Sequence, residues 1–528
     1  MKAVGARLAV LSVAIASVLA ATGGAAAATC APASVGGEWR SYGHDYSNTR
    51  NQPEEKTIGT LQAATLTETW SQSASSWGGS GDFPATPVIA DGCVYAGSTG
   101  GWVFAANADT GELVWKTQFN GGATWGSVAV ENGRVFTGVS AAGNLGVAAL
   151  DQTNGTVLWR TSVDTQNGAE IYSSAVFFDG MVIVGVSGGS AELSSGDVRD
   201  KFHGSVVLLD ASYGHILQKI YTIPQSDWGN PADPSSVQYA GGGVWAPAPA
   251  IDPATKYGYF SVGNPFNQQF QHPNTDAVLK IDLDQTRSSF GQIVGRYPGI
   301  VDQYFPAASS LPCVTLLPSG VPPYYPTGLG ACGDLDLDFG TSPNLFQDAA
   351  GNPLVGAGQK SGVYHAFHPT VGLDGTMPVA WTALVGLPSA IGGIVGSATY
   401  DGSAITGPIT QLGYLWSLNA SDGMYRWFSP VIDGAHYGQP VTSANGVFYT
   451  VDLKGFLDAY DAQTGVPLLM RPMTLGSLSG GGSPVKTDPI LSLGGVSVAR
   501  NTVYASVGTL GALNGYIIAY RPQTLPLP

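Results

Sequence analysis

The stretch "GGGVWAPAPAIDPATKYGYFSVGNP" (Gly241–Pro265) places an indole, Trp245, just behind a run of three glycines. An asparagine, Asn264, closes the second of two short apolar runs split by Asp252-Pro253. An indole offers a flat apolar face for a planar ring, and glycine lets a backbone come close to such a ring. Amide and carboxylate oxygens are ligands for hard cations. Other groups suited to that chemistry are Glu192 in "GGSAEL", the alternating carboxylates Asp334, Asp336 and Asp338 of "DLDLDFGTSP", and Lys360 in "AGQKSGVY". Alternation sets the three aspartates on one face of a strand. Each residue also has a plainer reading. Asn264 before Pro265 is a common way to start a turn, Lys360 occupies a hairpin turn, and Glu192 is equally an ordinary loop charge. His44, His203, His365 and His436 show no metal-ligand spacing.

The elements that must position these groups are short strands. Gly accounts for 73 of 528 residues and charged residues for only 11%, a composition of many strands joined by tight turns. A unit recurs: strand, Gly turn, strand, Asp-x-x-Thr-Gly turn, then a strand ending in Trp. It is plain in "VYAGSTGGWVFAANADTGELVWKT", "VFTGVSAAGNLGVAALDQTNGTVLWRT", "GYLWSLNASDGMYRWFS" and "VFYTVDLKGFLDAYDAQTGVPLLM". Trp70, Trp115, Trp159, Trp381 and Trp427 mark the unit ends, with Lys219, a position near Arg296, and Leu469 as weaker matches. One such meander cannot bury both of its faces, but several around an axis can. The last strand, "GYIIAYRP", lacks a partner that "LTETW" near the N-terminus can supply. The expectation is an all-β, eight-bladed β-propeller closed by the N-terminal strand, with scarce helix.

At the level of motifs the chain resembles the pyrroloquinoline-quinone (PQQ) alcohol dehydrogenases. "EWRSYGHDYSNTRNQ" resembles their N-terminal segment, and "GGGVWAPAPAIDP…YFSVGNP" resembles the blade carrying their cofactor tryptophan and a calcium-ligand asparagine. "DLDLDFGTSP" followed by "AGQKSGVYHAFHP" resembles the polyvinyl-alcohol dehydrogenase branch. The resemblance implies PQQ and Ca²⁺ as cofactors. Trp245 would stack the quinone, and Glu192, Asn264, Asp336 and Asp338 would face the metal. Asp338, favoured by the "DFG" alignment, would be the general base, with Lys360 donating to the quinone oxygen. Ser173 and Ser174 would donate to the cofactor's carboxylates. There are departures: no two cysteines are adjacent, "GGATWGSVAV" lacks the arginine often found near those carboxylates, and Val395 stands where another tryptophan is usual. The function implied is oxidation of a secondary or polymeric alcohol, with electrons passed to an external acceptor such as a cytochrome c. The alternative is a non-catalytic propeller acting as a protein-binding scaffold.

Residues 1–28 read as a secretory leader: Lys2 and Arg7, an apolar core, then "GGAAAA". The rest, 29–528, reads as a single domain with a Pro/Gly-rich insertion at about 300–335, in a secreted or periplasmic protein without a membrane span. Four cysteines suit an oxidising compartment. Cys313–Cys332 is the preferred pairing, stapling that insertion, and Cys30–Cys93 is a second pair. No Cys-x-x-Cys-His is present for covalent haem. A net charge of −15 disfavours nucleic acid as a partner.

Overall fold

A computed structural model describes residues 29–32, 35–141, 144–192, 194, 198, 201–229, 239–266, 271–301, 336–388, 392–410, 412–430, 436, 438–473, 494–508 and 515–523. The leader, the Cys313–Cys332 pair, Asp334 and nearly all of the insertion lie outside the described residues. Within them, eight antiparallel sheets follow one another around an axis. We number them as blades one to eight by their first strands: Val88–Ala90, Ala129–Glu131, Val176–Phe178, Ala250–Asp252, Asn344–Gln347, Thr399–Tyr400, Thr442–Ala444 and Val496–Ala499. Blade eight is completed by Leu66–Ser73, which pairs antiparallel with Tyr516–Pro522. The expected closure of the ring is therefore present. Helix is limited, among the described residues, to the four-residue turns Thr60–Ala63 and Gly189–Glu192 and one 3₁₀ turn.

The repeat tryptophans dock blade to blade. Each indole N–H donates to a backbone carbonyl of the next blade: Trp70 to Ala108, Trp115 to Gln152, Trp159 to Ala211, Trp381 to Ala420 and Trp427 to Ala462, at 2.9–3.2 Å. The ring lies flat on the glycine of the neighbouring Thr-Gly or equivalent turn. At Gly423 (φ +71°) a Cβ would come within 2.4 Å of Trp381 Cε3, so the motif needs glycine for both its conformation and its bareness. In blade three the corresponding side chain is Gln218, which meets Gly291. This corrects the expected Lys219 by one residue. Lys219 instead pairs with Asp164 at 2.8 Å.

The N-terminal segment 36–52 makes one circuit on a single face of the ring. Gly36 O accepts from Arg500 N of blade eight, Trp39 pairs with Ile89 of blade one, and Arg40 O accepts from Val130 N of blade two. The Tyr46 ring meets Phe178 of blade three edge-on. The carbonyls of Tyr46, Ser47, Thr49 and Arg50 then accept in turn from Ile251, Leu345, Tyr400 and Ser443 of blades four to seven. The Gln52 amide returns to Val498 O of blade eight. The belt thus satisfies inner-strand backbone groups that would otherwise end at the axis unpaired. Arg50, fully buried, donates to the carbonyls of Tyr42, Val441 and Val496. The disulfide Cys30–Cys93 pins the start of this segment to blade one, as the second expected pair.

Candidate active site

The belt covers the ends where first strands turn into second strands. The chemistry-bearing residues gather at the opposite end, by the alternation of an antiparallel meander. Glu192, Asn264 and Lys360 lie between second and third strands of blades three, four and five. Trp245, Asp336 and Asp338 lie on the segments entering the first strands of blades four and five. Loops on one end of a rigid scaffold bring together groups that are distant in sequence.

Trp245 Nε1 donates to Asp338 Oδ2 at 2.7 Å, fixing the indole edge to the carboxylate. Lys360 Nζ lies 3.0 Å from Asp338 Oδ1 and 2.5 Å from Asp336 Oδ2. The same ammonium stands over the Trp245 ring, 5.0 Å from its centroid. The Lys360 backbone N–H donates to Asp338 O at 3.1 Å, so the lysine turn and the aspartate segment hold each other. On the other side Asn264 Nδ2 donates to Glu192 Oε1 at 3.1 Å. Burial pushes the Asp338 carboxyl up to about 7, with Asp336 adding repulsion and Lys360 opposing it. Burial likewise pushes Glu192 up to about 8, again with Asp336 adding and Lys360 opposing. Three carboxylates therefore face one ammonium.

The structure brings Glu192, Trp245, Asn264, Asp336, Asp338 and Lys360 to one end of the axis, as the motifs imply. Two other expectations fall elsewhere. Ser173 Oγ is engaged with the Gly185 N–H and carbonyl, at 2.8 and 3.0 Å. Ser174 Oγ accepts from Ser127 N in the seam between blades two and three. Both are nearly fully buried, so their placement serves the blades. The glycines that crowd Trp245 also differ from those quoted. A Cβ on Gly340 would come within 2.4 Å of the indole Cη2, and one on Gly263 would lie 3.4 Å from its Cδ1 and 3.2 Å from Asp338 Oδ2. Of the Gly241–Gly243 run, Gly243 instead lies against Ser187 of blade three. Glu170 went unnoticed in the sequence, although its carboxylate reaches the turn that bears Glu192.

Comparison with known proteins bears on both readings of these blades. A family model described as outer membrane protein assembly factor BamB matches residues 54–217. It accounts for the early blades and leaves the ionisable cluster of blade five outside it. A polyvinylalcohol dehydrogenase from a Pseudomonas species is 26% identical over 510 residues, covering 90% of this chain and 73% of that protein. Over most of its length the chain is thus similar to polyvinylalcohol dehydrogenases. A second polyvinylalcohol dehydrogenase, from Sphingopyxis, is also 26% identical, over 70% of this chain and 58% of its own length. The fold agrees: a quinohemoprotein alcohol dehydrogenase from Comamonas testosteroni superposes with a TM-score of 0.63 over 93% of this chain and 82% of its own, at 16% identity.

A site of the kind the motifs imply would have to accept a divalent cation and a planar quinone. Among the described residues Asp336 Oδ1 is buried and accepts no hydrogen bond, and Asp338 Oδ1 has only the Lys360 ammonium beside it, so both have coordination capacity to spare. The excess of carboxylates over ammonium asks for positive charge. Among the described residues no three His, Cys, Asp or Glu side chains are grouped closely enough to hold a metal ion by themselves, so the Asn264 amide and the quinone's own oxygens would have to complete the set. Glu192 is held by Asn264 on one side, and the aspartates by Lys360 on the other. Trp245 is partly exposed, and the bare backbone of Gly340 and Gly263 packs against its ring. The residues present fit both groups.

Proposed function

We propose that this protein is a PQQ- and Ca²⁺-dependent dehydrogenase of secondary or polymeric alcohols that hands its electrons to an external acceptor such as a cytochrome c. The observation that carries the reading is the meeting of Asp338 and Lys360 at the Trp245 indole, with Asp336 on the same ammonium and Glu192, held by Asn264, within electrostatic reach of all three charges. A protein-binding scaffold has no use for such a cluster. Bound there, PQQ polarised by Ca²⁺ supplies the acceptor for a hydride from the carbinol carbon. Trp245 provides the stacking floor, and its N–H holds the Asp338 carboxylate in a fixed orientation. Glu192, Asn264, Asp336 and Asp338 furnish the oxygen ligands. Asp338 accepts the substrate's hydroxyl proton on the oxygen that the indole does not hold, and Lys360 keeps positive charge where negative charge develops. Loss of that proton and of the hydride leaves a carbonyl product.

A leader at residues 1–28 would place the protein outside the cytoplasm, where a disulfide persists. Among the described residues no helix is long and apolar enough to cross a membrane. The test is reconstitution of the purified, metal-free chain with PQQ and Ca²⁺, followed by dye-linked oxidation of secondary alcohols and short polyvinyl alcohols. Turnover that requires both additions supports the reading. A reconstituted protein that turns over no alcohol overturns it.

A further inference from the structure

We propose that Glu170 is a positioning residue for the cation site: it fixes the short turn Gly189–Glu192 so that the Glu192 carboxylate faces Asn264 and the two aspartates. The inference rests on the Ca²⁺ reading above. Glu192 does not sit on a strand. It ends a four-residue turn inserted between Met181–Val186 and Ser205–Asp210, the second and third strands of blade three. A turn that short has little stability of its own, so something outside it must hold its angle.

The connection leaving blade two supplies the hold. Glu170 and Ser187 exchange backbone hydrogen bonds at 2.8 and 2.9 Å, just ahead of the turn. The Glu170 side chain then reaches over, and its Oε2 accepts from Ser190 N at 3.1 Å. The same oxygen accepts from the Tyr172 hydroxyl. The Tyr172 ring is itself braced edge-on by Trp125, with centroids 5.6 Å apart. Below, Ala191 is fully buried against Gly168, where a Cβ would come within 2.5 Å of the Ala191 nitrogen. One carboxylate oxygen, oriented by a tyrosine, therefore grips the backbone two residues before the cation ligand. Groups that orient ligands in this way typically govern metal affinity by about 10- to 100-fold.

The test uses the full-length, metal-free protein and titrates Ca²⁺ alone by calorimetry at pH 8, without PQQ or substrate. Glu170→Ala removes the acceptor and should weaken Ca²⁺ binding by about 10- to 100-fold. Glu170→Gln keeps an oxygen for both donors and should stay within about threefold of wild type. Tyr172→Phe keeps the ring and loses only the hydroxyl, and should weaken Ca²⁺ by about threefold to tenfold; it decides the matter if the alanine variant does not fold. Alanine and phenylalanine variants that bind Ca²⁺ as wild type does overturn the inference. Equal weakening in Glu170→Ala and Glu170→Gln also overturns it, because charge rather than the hydrogen bond would then act. Failure of the wild type itself to bind Ca²⁺ overturns the cation reading, and is seen before any variant is compared.

Discussion

Replacing Asp338 by asparagine separates the charge of this residue from its shape. Asparagine has nearly the same volume, and its oxygen still accepts the Trp245 N–H. What it loses is a negative charge that burial and Asp336 disfavour. The folded carboxyl stands at about 7 against an ordinary 3.8, a difference worth roughly 4 kcal/mol when fully ionised. Burial is the main cause, with Asp336 adding repulsion and Lys360 opposing it, so removing the charge should return a good part of that penalty, about 2 kcal/mol. The folded value lies above the unfolded one. The penalty is therefore absent below about pH 4, grows as pH rises, and is complete above about pH 7. A chain of this size unfolds with an entropy of about 1 kcal/mol/K, so 2 kcal/mol moves the midpoint by about 2 °C. Scanning calorimetry in EDTA should show Asp338→Asn melting about 2 °C above wild type at pH 8 and no higher than wild type below about pH 4. Added Ca²⁺ should raise wild type more than the variant. A variant that is destabilised equally at both pH values would refute the reasoning, because Asp338 would then carry no unmet charge.

Other outcomes follow from the same geometry. In the reconstituted enzyme, Asp338→Asn should lower turnover by about 10²–10⁴-fold in dye-linked assays; if Asp336→Asn does so while Asp338→Asn is active, the base is Asp336. Glu192→Ala should weaken Ca²⁺ binding in calorimetry, with activity returning in part at high Ca²⁺. Gly423→Ala forces a methyl within 2.4 Å of Trp381 Cε3 in a left-handed turn, and should cost about 1–3 kcal/mol of stability in thermal unfolding. Cys30→Ser opens a link spanning 63 residues, and should cost about 2–4 kcal/mol while leaving PQQ binding intact.

The ring was legible because its repeat is local. Each Asp-x-x-Thr-Gly turn and terminal Trp is a signal within one blade, and the docking contact joins adjacent units. Trp245 stood out because it lies off the repeat ends, and Asn264 and Lys360 because the motifs around them resemble those of quinoprotein dehydrogenases. The belt was not legible as a structure, because residues 36–52 pair with a different blade every one to six positions and so show no period of two. Their left-handed Asn48 and Arg50, at φ 51° and 47°, also break any strand pattern. The indole–carboxylate bond joins residues 93 apart, and the glycines that make room for it, Gly263 and Gly340, lie outside the run that drew attention. Glu170 carries no motif, and only the fold places it beside Ser190. Ser173 and Ser174 carry no signal that separates a cofactor contact from a backbone cap, and here their hydroxyls cap Gly185 of their own blade and Ser127 of blade two.

The central claim is that Trp245, the three carboxylates, Asn264 and Lys360 together hold PQQ through a divalent cation. Equilibrium titration of PQQ into the metal-free protein, with and without Ca²⁺, tests it directly through quenching of tryptophan fluorescence. The account predicts one saturable site that forms with Ca²⁺, weakens without it, and loses affinity in both Trp245→Ala and Glu192→Ala. Binding that ignores Ca²⁺ and both substitutions, or no binding at all, would contradict it.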